Sequence, residues 1–197
     1  MKRRSLLQML PAAFFLALTA CDRAAPTYAS IDITGADYGR DFRLTDPGGR
    51  ERTLADFRGM VVMLFFGYTQ CPDVCPTALA RAVEVRKKLG EDGKRVQIIF
   101  VTVDPERDTP AVLKEYTAAF DPSFLGLSGD AERTKAVAGE FRAMYQKVPT
   151  GDSYTMDHTA LTYVFDPQSR LRLAIRHTQP ADQVAADLRM LMDSQSR

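Results

Sequence analysis

The sequence predicts an α/β domain, a mixed central sheet flanked by helices with an extra β-hairpin at its front. Two apolar runs carry this, residues 61–66 and 96–103. Both are rich in β-branched and aromatic side chains, as strands buried on both faces require. A segment of helical periodicity follows each, the alternation of a parallel sheet with crossover helices. A second strand pair lies near the C-terminus, ahead of a last helix. With 197 residues and 45% hydrophobic content, the chain can bury one sizeable core and still carry a targeting segment.

The elements follow in order. Phe42 and Leu44 alternate with polar neighbours, as in a strand, and Asp46-Pro47-Gly48-Gly49 is a turn. Residues 50–53 return and complete the front hairpin. Residues 54–59 form one helical turn stopped by Gly59. The first core strand, 61–66, leads through a cysteine-bearing loop into a helix over 77–89. That helix is apolar at Leu79, Ala82, Val83, Val85 and Leu89, and Gly90 ends it. The second core strand, 96–103, exits through Asp104-Pro105-Glu106-Arg107-Asp108-Thr109-Pro110. This is a loop and helix cap, with Pro110 in the first turn of a helix reaching about Phe120. A short strand over 124–127, a helix over 131–145 and a loop over 148–158 come next. Strands over 160–165 and 171–175 form a hairpin through 166–170, and a helix over 180–192 closes the domain. The layout resembles the thioredoxin superfamily with extra strands in front. Its cysteines, with three residues between them instead of two, argue against a plain thioredoxin.

The first twenty residues stand outside this fold. Lys2, Arg3 and Arg4 precede an apolar run over 6–18, which ends in Leu18-Thr19-Ala20-Cys21. That is a signal-peptide layout, and its end resembles a bacterial lipobox with Cys21 as the lipidated residue. Asp22 resembles the signal that retains some lipoproteins on the inner membrane. The expected organisation is a signal segment over 1–20, a tether over 21–30 and a domain over 31–197. The expected place is the bacterial inner membrane, lipid-anchored and facing the periplasm. A formal net charge of +1 gives no field that would point to nucleic acid.

This address sharpens the cysteine arithmetic. With Cys21 carrying lipid, the exported part keeps Cys71 and Cys75, in Cys71-Pro72-Asp73-Val74-Cys75-Pro76. An exported compartment oxidises idle thiols, so the pair forms a disulfide, binds a metal, or alternates between the two. Positions i and i+4 share one face of a helical turn, and a helix start favours thiolate. The third donor of choice is histidine. His158 stands in Asp157-His158-Thr159, just before a strand, and His177 ends another strand. Two thiolates and one imidazole make a soft site suited to Cu(I).

At these residues the chain resembles the Sco/SenC family. The resemblance rests on Gly67-Tyr68-Thr69-Gln70-Cys71-Pro72-Asp73-Val74-Cys75-Pro76-Thr77, on Val101 to Pro110, on Asp157-His158 and on the front-end segment from Gly35 to Phe57. It covers nearly the whole exported part. It implies that Cys71, Cys75 and His158 bind copper, as Cu(I) and Cu(II). It also implies a role in assembling the dinuclear copper centre of cytochrome c oxidase, whose copper-accepting subunit is the expected partner. Other copper carriers and thiol reductants are further partners, and the N-terminal lipid would meet the membrane. Gln70 departs from many relatives. Cu(II) calls for a fourth donor, water or a carboxylate, and Asp73, Asp104 and Asp157 are the candidates.

Other readings of the same residues stay open. Cys71 and Cys75 also suit a thiol-disulfide oxidoreductase reducing exported proteins, or an inert bridge. A thiol peroxidase lacks its threonine three positions before the first cysteine, where Tyr68 stands. Met156 either offers a thioether to Cu(I) or packs beside the site. Asp104 and Asp108 either orient the site or cap the helix that follows.

Overall fold

The structure, a computed structural model, describes residues 27–193. The expected targeting segment, Cys21 and most of the expected tether lie outside these residues. The two apolar runs become β4 (Val61–Gly67) and β5 (Val96–Thr102), paired in parallel from Val61 opposite Val96 to Gly67 opposite Thr102. Every residue of β4 is buried, which explains its unbroken apolar sequence.

Around this pair the sheet is six-stranded and mixed. β6 (Leu125–Leu127) runs parallel to β5, and β9 (Thr162–Phe165) antiparallel to β4. β10 (Leu171–Ile175) pairs with β9, and β1 (Ile31–Asp32) closes that edge against β10. The front hairpin is present as β2 (Leu44–Thr45) and β3 (Glu51–Arg52), a separate two-stranded ladder. Asp46 holds its turn, accepting from the Gly48 and Arg50 backbone N–H groups and pairing with Arg52.

Helices cover both faces of the sheet. α1 (Val74–Leu89) joins β4 to β5, and α2 (Pro110–Phe120) joins β5 to β6. Neighbouring strand residues point to opposite faces. Phe65 meets Phe100, which meets Tyr116 of α2 on one side. Phe66 meets Phe141, just beyond α3 (Ala131–Glu140), and Tyr163 on the other. The last helix, α4 (Ala181–Asp193), packs on α1.

Three boundaries differ from the sequence reading. α1 starts at Val74, not at Thr77, so it includes Cys75. The helix expected over 131–145 stops at Glu140, where Arg142 takes a left-handed φ of 51° and the Ala143 N–H bonds back to the Ala138 carbonyl. The expected loop over 148–158 is a β-hairpin, β7 (Tyr145–Thr150) and β8 (Ser153–His158), turned at Gly151 with φ 57°. Pro149 masked it in the sequence. A strand paired on one side only tolerates a residue without an N–H.

The chain enters beside α4. The Asp187 carboxylate, buried on α4, accepts from the N–H groups of Ala29 and Ser30 and from the Ser30 hydroxyl. The last tether residues are therefore part of the packed domain. Register places this entry at the end of the sheet where β4 finishes. Ile31 lies opposite Ala174, Ile175 opposite Thr162, and Thr162 opposite Phe65.

Candidate metal centre

The cysteine loop leaves β4 at Gly67 and is fixed at both ends. The Val103 N–H donates to the Gly67 carbonyl at 2.8 Å, and the Cys71 N–H to the Tyr68 carbonyl at 3.3 Å. Asp108, buried at the exit of β5, accepts from the Thr69 N–H at 3.0 Å and the Thr69 hydroxyl at 2.6 Å. It also accepts from the Thr102 hydroxyl at 2.6 Å. The helix-cap role belongs instead to Thr109, whose hydroxyl accepts from the Val112 N–H. Asp104 and Asp108 thus orient the site's surroundings and do not cap α2.

The two thiols differ in setting. Cys71 lies in the loop before α1, half-buried. Cys75 is the second residue of α1 and fully buried. They therefore do not share a helical turn, as the spacing had suggested; the loop brings them together. Both are free thiols. Hydrogen bonding from the Cys75 thiol, then from the Asp73 and Cys75 backbone N–H groups, outweighs burial and holds Cys71 at a pKa of about 4. The same contact with Cys71, and burial, push Cys75 far up.

His158 ends β8 and turns inward. Its Nε2 lies 3.5 Å from Cys75 Sγ, and its Nδ1 lies 3.2 Å from the Thr159 carbonyl, which can only accept. With a proton on Nδ1 to meet that carbonyl, the neutral ring turns its Nε2 lone pair to the thiols. Phe65 and Tyr68 pack edge-on to the imidazole, at 5.8 and 5.9 Å between centroids. Cys71, Cys75 and His158 offer three donor atoms, all within 4.8 Å of one another. A groove of about 320 Å³ opens beside them, lined by Tyr68, Cys71, Pro72, Val74, Thr155 and His158 among others.

The other candidates are not members of that three-donor group, although Asp73, Met156 and Asp157 line the groove beside it. No carboxylate joins the three donors among the described residues. Asp73 and Asp157 are exposed, and Asp104 is buried against Arg107 and Tyr154. Met156 is 5% exposed and packs with the core. His177 lies beyond β10, its carbonyl accepting from Arg81.

Sequence reasoning gave no role to several residues that shape the site. Gly67 has no room for a side chain: a Cβ there would sit 2.7 Å from Cys75 Sγ and 2.8 Å from Phe100. Tyr68 is tied to the histidine hairpin by a 2.6 Å bond to Thr155. Arg107 spans from Asp104 to Gln70 and Tyr154. Only the glycine's place between an apolar strand and a cysteine loop hinted at a close approach.

Fold and site together define a thioredoxin-like domain whose dithiol faces an imidazole, a soft-metal arrangement. The SCO1/SenC family model matches residues 32–193, and the chain belongs to that family. It is 40% identical over 156 residues to the bovine mitochondrial protein SCO2 homolog, a match covering 77% of this chain and 59% of that one. Among solved structures, Bradyrhizobium japonicum ScoI with copper bound is 44% identical, with a TM-score of 0.71 over 77% of this chain and 98% of that one. BsSco, described as a member of the Sco family of cytochrome c oxidase assembly proteins and as the bearer of a disulfide switch, is 24% identical. Its TM-score is 0.64 over 82% of this chain and 97% of that one, a likeness that speaks for the fold.

Proposed function

We propose that this chain is a copper chaperone, binding copper as cargo through Cys71, Cys75 and His158 for assembly of the dinuclear copper centre of cytochrome c oxidase. The observation that carries this is the convergence of two thiols and one imidazole from a loop, a helix start and a strand end. Thiolates and imidazole suit Cu(I), and the imidazole with a water suits Cu(II). Cys71 stays partly accessible beside the groove, so a thiol of the copper-accepting oxidase subunit has a line of approach. Other copper carriers would load the site. Lipid on Cys21 would hold the domain on the bacterial inner membrane, facing the periplasm.

A Cu(I) titration of the reduced protein against a competing chelator tests the reading. We expect one-to-one binding, abolished in Cys71→Ser/Cys75→Ser and weakened in His158→Ala. Undiminished binding in His158→Ala would overturn the ligand set. Radiolabelled palmitate in the expressed protein, absent after Cys21→Ala, tests the anchor.

The contrast between the thiols supports a second reading, reduction of target disulfides. The Cys71 thiolate attacks one target sulfur and expels the other as thiolate. Cys75, losing its proton, then attacks Cys71 Sγ and frees the target as a dithiol. The chain is left as the Cys71–Cys75 disulfide, two electrons having passed to the target. An external thiol reductant resets the pair. Turnover of such a substrate by His158→Ala, with copper binding absent from the native chain, would favour this use.

A further inference from the structure

We infer that Arg107 is the positioning residue of His158, locking the hairpin that carries the imidazole against the loop that carries Cys71. β7 and β8 bond by ladder only to each other and form a two-stranded sheet apart from the main one. The place of His158 relative to the cysteines therefore depends on side-chain ties across the junction. Arg107 makes several of these ties at once. Its Nη1 donates to the Tyr154 carbonyl on β8 and to Gln70 Oε1, next to Cys71, each at 3.0 Å. Its guanidinium lies over the Tyr154 ring, 3.7 Å from the centroid. Its Nε bonds the buried Asp104 carboxylate, whose other oxygen accepts from the Tyr154 hydroxyl at 2.9 Å.

A planar fork can reach all these partners together, and a lysine cannot. Lysine does keep a cation for the buried Asp104, so Arg107→Lys should fold. It also removes Nη2, which is buried without a partner. The lock should then loosen while the domain stands. Groups bonded directly to a metal-ligating histidine change metal affinity by about 10–100-fold, and Arg107, acting on His158 through Tyr154 and β8, is expected at the lower end of that range.

The inference rests on the ligand reading above only for its copper arm, so the experiment has two. In the reduced, metal-free full chain in detergent, NMR reads the contacts of the His158 ring with Phe65 and Tyr68. We expect these to weaken in Arg107→Lys and in Arg107→Met, while amide dispersion elsewhere is kept. Unchanged contacts in a folded variant would overturn the inference whatever copper does.

In the second arm, Cu(II) dissociation into a chelator is timed and the thiolate-to-copper absorption recorded. Arg107→Lys should speed release at least about tenfold and shift the band in the native background. In the His158→Ala background it should do neither. An equal acceleration in both backgrounds would make Arg107 a general scaffold residue and overturn the inference. If His158→Ala alone leaves release unaltered, the ligand reading fails, and the metal-free contacts still decide the role of Arg107.

Discussion

Gly67 and Cys75 touch across the end of β4 so closely that the glycine's missing Cβ is the space the sulfur occupies. An alanine carbon there would lie 2.7 Å from Sγ, with Phe100 at 2.8 Å and Phe65 at 3.0 Å blocking the other directions. Gly67→Ala must therefore push the sulfur, or the rings behind it, out of place. Overpacking of this kind costs about 1–3 kcal/mol. We expect a lower urea midpoint, and a fall in Cu(I) affinity larger than stability alone explains. Affinity kept at the native value would show that the rings, and not the sulfur, give way.

The unequal thiols predict an unequal pH profile. In the reduced protein Cys71 holds its thiolate down to about pH 4, because the Cys75 thiol and then backbone N–H groups donate to it. Its alkylation by iodoacetamide should be flat across neutral pH and fall only as pH drops through about 4. Cys75, buried and pushed up, should stay unmodified over the same range. Cys75→Ala removes the leading donor, so the Cys71 profile should move to higher pH. Mass mapping of the labelled sulfur against pH checks each statement, and a Cys71 rate still rising between neutral and alkaline pH would contradict them.

The parts of this molecule legible in the sequence are those where a residue's neighbours decide its state. β4 is buried at every position and its apolar run is unbroken, and β5 is buried everywhere but at Gln97, the polar residue in its first half. Cys71, Cys75 and His158 stood out because two thiols so close in a chain expected to be exported call for a partner, and few donors were on offer. The hairpin of β7 and β8 was not legible. Its exposed positions are polar, it contains Pro149, and tertiary ties hold it in place, Tyr68 to Thr155 and Arg107 to Tyr154. Spacing along the chain carries no record of such ties. Asp108 was visible as a carboxylate before a helix, and Thr109 beside it was the better cap.

Asp108 should matter more than its distance in sequence from the cysteines suggests. It is 1% exposed and satisfies three donors from the cysteine loop and β5. Asp108→Ala strands the Thr69 N–H and two hydroxyls around a vacated site. Leaving buried donors unpaired costs about 1–3 kcal/mol per group, and the hydroxyls can partly rotate away, so a loss of about 3 kcal/mol is expected. Urea unfolding measures it. The freed loop should also let Cys71 wander, and oxidation of the Cys71–Cys75 pair by a glutathione buffer reports that. Unaltered stability together with an unaltered reduction potential would remove Asp108 from the account.

Asp187 makes the corresponding prediction for the chain's entrance. Its carboxylate takes the Ala29 N–H at 2.9 Å, the Ser30 N–H at 2.8 Å and the Ser30 hydroxyl at 2.6 Å, with Gln179 alongside. These bonds tie the start of the domain to α4, and α4 packs on α1, the helix that begins with the cysteine motif. Asp187→Ala leaves the buried Ser30 N–H and hydroxyl without this acceptor, while the exposed Ala29 N–H can turn to water, for a loss of about 2–3 kcal/mol. Without the pin, β1 is held by two residues of ladder at the sheet edge and by the bond of the next residue, Ile33 N–H to the Arg172 carbonyl, a short attachment prone to fraying. Limited proteolysis should then cut ahead of Thr34 well before the rest of the domain, and Asp187→Asn, keeping one acceptor oxygen, should fall between. None of the partners of Asp187 touches the three donors, so Cu(I) uptake by the folded variant should match the native chain. A variant cut no faster than native would mean that the edge ladder alone secures the entrance. Faster cutting with weakened copper binding would mean that α4 transmits the loss through α1 to the cysteine loop.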